Sequence, residues 1–63
     1  MTNKECAVIF EQWCRDSGQH AHFQIRKRRV SFNGHKAVTV LEAVGKIEGW
    51  YAMRPHLVKP IGL

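Results

Sequence analysis

The stretch Phe23-Gln24-Ile25-Arg26-Lys27-Arg28-Arg29-Val30-Ser31-Phe32-Asn33-Gly34 decides how this chain folds. Its first half continues an alternation in which Ala21, Phe23 and Ile25 are apolar and His20, His22, Gln24 and Arg26 are polar, the period of a β-strand. The parity then changes, because Val30 and Phe32 are even-numbered. A bulge or break near residues 27–29 would return both apolar sets to one face. Asn33-Gly34 is a strong turn signal, and Ala37, Val38 and Val40 offer a return strand. The two-residue register opposes that return, since it pairs Val30 with Ala37 and sets Arg29 and Lys27 on the face of Val38 and Val40. The stretch is therefore read as a single strand within residues 20–32. Its backbone groups are expected to pair antiparallel with those of a second copy.

Helical signals flank the strand. Thr2 with Glu5 three positions later is a capping-box pattern and Gly18 is a C′ glycine, which predicts a helix over about residues 3–17. On its wheel Cys6, Ala7, Ile9, Phe10, Trp13 and Cys14 share an arc of roughly 160°, wider than the ~100° stripe that one core contact requires. Thr39 with Glu42 repeats the capping pattern, and Ala37, Val40, Leu41, Val44, Ile47 and Tyr51 share a second arc. This predicts a helix over about residues 37–48, extendable to Met53 and closed by Pro55. Val38, Thr39 and Val40 are β-branched, and Gly45 and Gly49 each weaken a helix by up to about 1 kcal/mol, so packing must hold it. Residues 56–63 read as an extended tail carrying Leu57, Val58, Ile61 and Leu63 around Pro60.

Size sets the next expectation. A chain of 63 residues and 7.3 kDa exposes roughly 10,600 Å² unfolded and about 4,200 Å² folded. Burial of the apolar share contributes on the order of 95 kcal/mol, and ordering the chain costs about the same. A disulfide does not supply the difference, because Cys6 and Cys14 on one helix stand about 12 Å apart, beyond the ~7 Å limit. No Cys-x-x-Cys pair marks a zinc site. His20, His22, His35 and His56 fit exposed or hydrogen-bonded roles better than metal ligation. Assembly remains, so the expected architecture is one small α+β domain over residues 1–63, with two amphipathic helices and one strand per chain in an intertwined homodimer. Phe10, Trp13, Val40, Leu41, Val44 and Ile47 form its expected core and interface.

Composition also narrows the function classes. Forty-four per cent hydrophobic and 24% charged residues are ordinary for a folded chain. Length and composition exclude a multidomain chain, a large enclosed active site and a membrane span of ~20 apolar residues. Both cysteines fall on a buried arc with no adjacent base, the carboxylates Glu5, Glu11, Asp16, Glu42 and Glu48 fall on solvated helix faces, and no phosphate-cradling glycine loop occurs. No catalytic residue, cofactor or metal is expected. Buried thiols without a signal peptide point to a reducing cytoplasm. Two binding readings remain. Trp50, Tyr51, Met53 and Leu57, at the junction of the second helix and the tail, suit a cleft for a partner protein. Alternatively, Arg26, Lys27, Arg28 and Arg29, in a chain of formal net charge +5, suit phosphate contacts with nucleic acid, although no base-reading helix accompanies them.

The opening Met1-Thr2-Asn3-Lys4-Glu5-Cys6, the segment Phe10-Glu11-Gln12-Trp13-Cys14-Arg15-Asp16-Ser17-Gly18 and the chain length together resemble the small early-region proteins of lambda-type temperate bacteriophages, encoded between the exonuclease and excisionase genes. The resemblance implies an accessory protein of the host cytoplasm. It would act early in infection to favour lytic development by engaging a host or phage macromolecule. It supplies no motif from which site residues could be assigned.

Overall fold

The computed structural model describes residues 2–18 and 22–63, so His20 and Ala21 of the predicted alternation lie outside the described residues. The chain runs α1 (Asn3–Asp16), β1 (Phe23–Arg26), β2 (Arg29–Phe32), β3 (Val38–Thr39) and α2 (Val40–Ala52), an α+β fold with a three-stranded antiparallel sheet in the order β1-β2-β3. Helix α1 begins at the box read from the sequence: Glu5 N–H donates to Thr2 Oγ1 at 3.2 Å and Thr2 N–H donates to Glu5 Oε1 at 3.1 Å. That hydrogen bond lowers the pKa of the Glu5 carboxyl below its ordinary value.

The single strand predicted within residues 20–32 is two strands, β1 and β2, to which β3 adds a third from outside that stretch, and the change of parity is what a hairpin produces. Lys27 and Arg28 form a two-residue turn, so Phe23 pairs with Phe32 and Ile25 with Val30. Odd residues of β1 thus stand opposite even residues of β2, and opposite residues share a face. Lys27 adopts φ 57° to make the turn. A turn of charged residues lacks the Asn-Gly or Asp-Gly signature, so the sequence pattern alone does not distinguish it from a bulge or a break.

The Asn33-Gly34 turn is also present, with φ of 51° and 74° and His35 N–H donating to the Phe32 carbonyl at 2.9 Å. It does not set the register of β3. Between the turn and β3 the chain advances one extra residue, so Val30 pairs with Val38 and not with Ala37. One residue flips strand parity, and the offset removes the conflict that argued against a return strand. With its strands paired within the chain, the backbone groups of β1 and β2 need no second copy.

Val38 and Thr39 belong to β3, so α2 starts three residues later than the periodicity alone suggests. Thr39 is its N-cap, accepting from Glu42 N–H at 3.2 Å, and Val40 N–H donates to the Arg28 carbonyl at 2.8 Å. At the other end, α2 keeps Trp50 and Tyr51 helical and is capped by Met53.

Both helices pack on one face of the sheet. The core joins Cys6, Ile9 and Phe10 of α1, Val30 of β2, and Val40, Ala43, Ile47 and Tyr51 of α2. Phe10 meets Phe23 and Phe32 edge-on, at centroid distances of 5.6 and 5.4 Å, a favourable aromatic geometry. The tail closes over α1. Gln12 Nε2 donates to the Val58 carbonyl at 3.0 Å, Pro60 is buried, and the Gly62 Cα lies so near Ile9 that a Cβ there would come within 3.6 Å of Ile9 Cδ1.

Two expected assignments change. Leu41 is 83% exposed and is not part of the core, whereas Tyr51, expected in a cleft, is 1% exposed at its centre. Val44 and Trp13 are half-buried against the core. The α2 axis explains the exchange: the face toward the sheet is centred on Val40, Ile47 and Tyr51, and Leu41 lies about 100° around from Val40.

Candidate functional site

Helix α2 separates two cavities, one along each flank. The first, of about 330 Å³, has its walls made by Trp13 of α1, Phe32 of β2, Val38 of β3, and Ala43, Ile47 and Trp50 of α2; His35, Lys36 and Lys46 complete the lining. Those last three residues are exposed. Among the described residues the lining contains no carboxylate. The site is therefore an apolar hollow whose charged groups are the two lysines.

The aromatic wall is braced from several sides. Trp13 stands edge-on to Phe32 at 5.4 Å and to Trp50 at 6.4 Å, and Trp50 stands edge-on to Tyr51 at 4.9 Å. The Arg54 guanidinium lies 4.0 Å from the Trp50 ring centroid and donates to the Trp50 carbonyl at 3.0 Å. This cation–π contact fixes the ring from the side of the tail. Trp13 Nε1–H is buried without a hydrogen-bond acceptor among the described residues. An unmet donor of this kind is uncommon in a native interior.

Of the four residues expected at a cleft, only Trp50 lines this cavity. Tyr51 points into the core, Met53 is 76% exposed, and Leu57 is half-buried against the core. Sequence reasoning missed Trp13, Phe32, Lys36 and Lys46 as site residues. Trp13 and Trp50 are the two tryptophans of the chain, but only the helix packing shows that they share a wall.

The second cavity, of about 510 Å³, lies on the opposite flank of α2 and is lined by Asn3, Cys6, Arg28, Thr39, Val40, Leu41 and Val44. Gly45 and Gly49 follow Leu41 along the helix, and a Cβ at either would meet nothing within 4 Å.

The basic run occupies the β1–β2 hairpin. Arg26 and Arg29 face each other across it, Lys27 and Arg28 make the turn, and all four are exposed. The turn is tied to the starts of both helices, because Asn3 Nδ2 donates to the Lys27 carbonyl at 3.1 Å and Val40 N–H donates to that of Arg28. Arg29 Nη2 also reaches the Ala37 carbonyl at 3.3 Å. Four cations are thus presented beside two helix N-termini, whose partial positive charges have the same sign.

Cys6 and Cys14 are free and buried, and burial pushes the Cys14 thiol above its ordinary pKa, which disfavours the nucleophilic thiolate. Among the described residues no group of three or more His, Cys, Asp or Glu side chains could hold a metal ion, and no helix is long and apolar enough to cross a membrane. Comparison with known proteins finds no matching family model, no matching curated protein and no matching solved structure.

Proposed function

We propose that this chain is a small protein-binding module without catalytic activity, acting as an early phage accessory protein that favours lytic development in the host cytoplasm and working as a homodimer. The observation that carries the reading is the open aromatic cavity on one flank of α2, whose lining has cations and no acid. Cavities of this kind suit an anchoring side chain of a partner, since buried aromatic contacts supply most of the energy at small interfaces. The phage context rests on the resemblance in length and character. The homodimer rests on the other flank, where Leu41 is exposed beside the cavity lined by Cys6, Val40 and Val44. A second copy placing its own Leu41 there would bury both in a two-fold contact.

The second reading, a nucleic-acid-binding module, is favoured by the exposed Arg26, Lys27, Arg28 and Arg29 at the hairpin. One experiment separates the two. The immobilised chain is offered nuclease-treated extract of host cells, in wild-type form and with Arg26, Lys27, Arg28 and Arg29 all replaced by Gln. The protein-binding reading expects the same protein to be retained by both forms. Retention of nucleic acid alone from untreated extract, abolished in the neutralised variant, would overturn it in favour of the second.

A further inference from the structure

Resting on the protein-binding reading above, we infer that the cavity between Trp13 and Trp50 receives one bulky apolar side chain, aromatic by preference, from a partner segment whose adjacent residues are Asp or Glu. The volume, about 330 Å³, is at the low end of the ~300–1,000 Å³ range of ligand cavities. It accommodates a bulky side chain together with part of the backbone that carries it. The anchor is apolar because the walls are: the half-buried Trp13, Phe32, Val38 and Trp50 offer carbon surface that is otherwise left against water.

The flanking acids follow from charge. Lys36 comes from the connection between β2 and β3 and Lys46 from α2, so the mouth carries a cation from each of two separate elements. Carboxylates on either side of an inserted anchor meet one lysine each, whereas a basic segment meets like charge. Exposed pairs of this kind add modest affinity but select strongly for sign and speed encounter.

An unstacked nucleobase is the less suitable occupant. Bases bind on flat aromatic platforms, and here the Trp13 ring stands at 73° to Phe32 and 85° to Trp50, so Trp13 forms no continuous flat platform with either ring. The four-cation hairpin, the better phosphate surface, does not line this cavity.

Both tryptophans line the cavity, so intrinsic fluorescence reports on this site. The probe is a capped peptide Asp-Asp-Phe-Glu-Glu, compared with the same peptide carrying Ala for Phe, with Lys-Lys-Phe-Lys-Lys, and with a five-nucleotide single strand. The acidic Phe peptide is expected to give a saturable change, with the other three at least tenfold weaker. Lys36→Glu with Lys46→Glu, both at exposed positions, should weaken the acidic peptide at least tenfold and admit the basic one, while Val8→Ala, at an exposed position of α1 that lines neither cavity, changes neither. The inference is overturned by no saturable change up to millimolar peptide, by equal affinity of the Ala peptide, by indifference to the charge reversal, or by tighter binding of the oligonucleotide. If host protein is still retained from nuclease-treated extract in any of these cases, the binding module stands and only this occupant is wrong. If nothing is retained, both readings fall together.

Discussion

Tyr51 Oη donates a 2.6 Å hydrogen bond to Asp16 Oδ2, joining the last residue of α1 to the last turn of α2. The phenol ring is fully buried, so this contact combines core packing with the one polar tie between the two helix ends among the described hydrogen bonds. Tyr51→Phe keeps the ring and removes the tie. It is expected to destabilise the fold by about 1.5–3 kcal/mol, the range for hydrogen bonds to charged acceptors. Tyr51→Ala should cost about 3–5 kcal/mol through the cavity it leaves. Urea unfolding of the three proteins measures both differences.

The same residue makes stability depend on alkaline pH. Burial, then the hydrogen bond to Asp16, then the Asp16 charge push the Tyr51 hydroxyl well above its ordinary pKa. A raised pKa means the unfolded chain releases its proton first. The contribution is therefore complete below about pH 10, where the unfolded phenol titrates, and is lost as pH rises from there toward the folded value. Tyr51 is the only tyrosine, so phenolate absorbance near neutral to strongly alkaline pH follows it alone. Native protein should show no phenolate signal until well past pH 10, and Tyr51→Phe should flatten the stability profile across that interval.

Gly45 and Gly49 sit in the interior of α2 with open space where a Cβ would be. Gly45→Ala and Gly49→Ala are each expected to stabilise the isolated chain by about 0.5–1 kcal/mol. If α2 faces a second copy on this side, the gain measured at micromolar concentration should shrink or reverse at the higher concentrations where the dimer forms. Leu41→Asp supplies the complementary measurement: thermal stability of the dilute chain unchanged, and sedimentation at high concentration shifted to monomer.

Lys27 holds φ 57° in the hairpin turn, a conformation that disfavours side chains with a Cβ by roughly 1–2 kcal/mol. Lys27→Gly relieves that strain and adds freedom to the unfolded chain, leaving an expected net stabilisation of about 0.5 kcal/mol. A decrease in melting temperature on this substitution would mean that the side chain contributes more than its backbone strain removes.

The tail should behave as part of the fold. Deleting residues 57–63 removes the Gln12 contact and uncovers Ile9, which is otherwise completely buried. A loss on the order of 2 kcal/mol follows from re-exposing that much apolar surface. Hydrogen exchange should then quicken on the tail-facing side of α1, around Ile9 and Gln12, ahead of β2.

How much of this was legible before the structure differs by element. The helices were, because their signals are local: Thr2 and Glu5, or Thr39 and Glu42, meet within one turn, and an amphipathic arc needs no knowledge of its neighbour. The candidate site was mostly hidden. Trp50 was singled out from its own surroundings, but Trp13, Phe32, Lys36 and Lys46 come from four different parts of the chain and acquire a common purpose only when packed.

The amino-acid order by itself determined two capped helices, an alternating central segment, an Asn-Gly turn and a strong positive charge. Tertiary structure decided the rest. It made a hairpin of the parity change at Lys27-Arg28, and it placed one extra residue before Val38 so that an apolar pair closed the sheet. It also turned Tyr51 inward and Leu41 outward. The physical reason is common to all three: a strand's face is reversed by a single residue and a helix's buried centre is set by what lies across from it, so neither is specified until the partner element is in place.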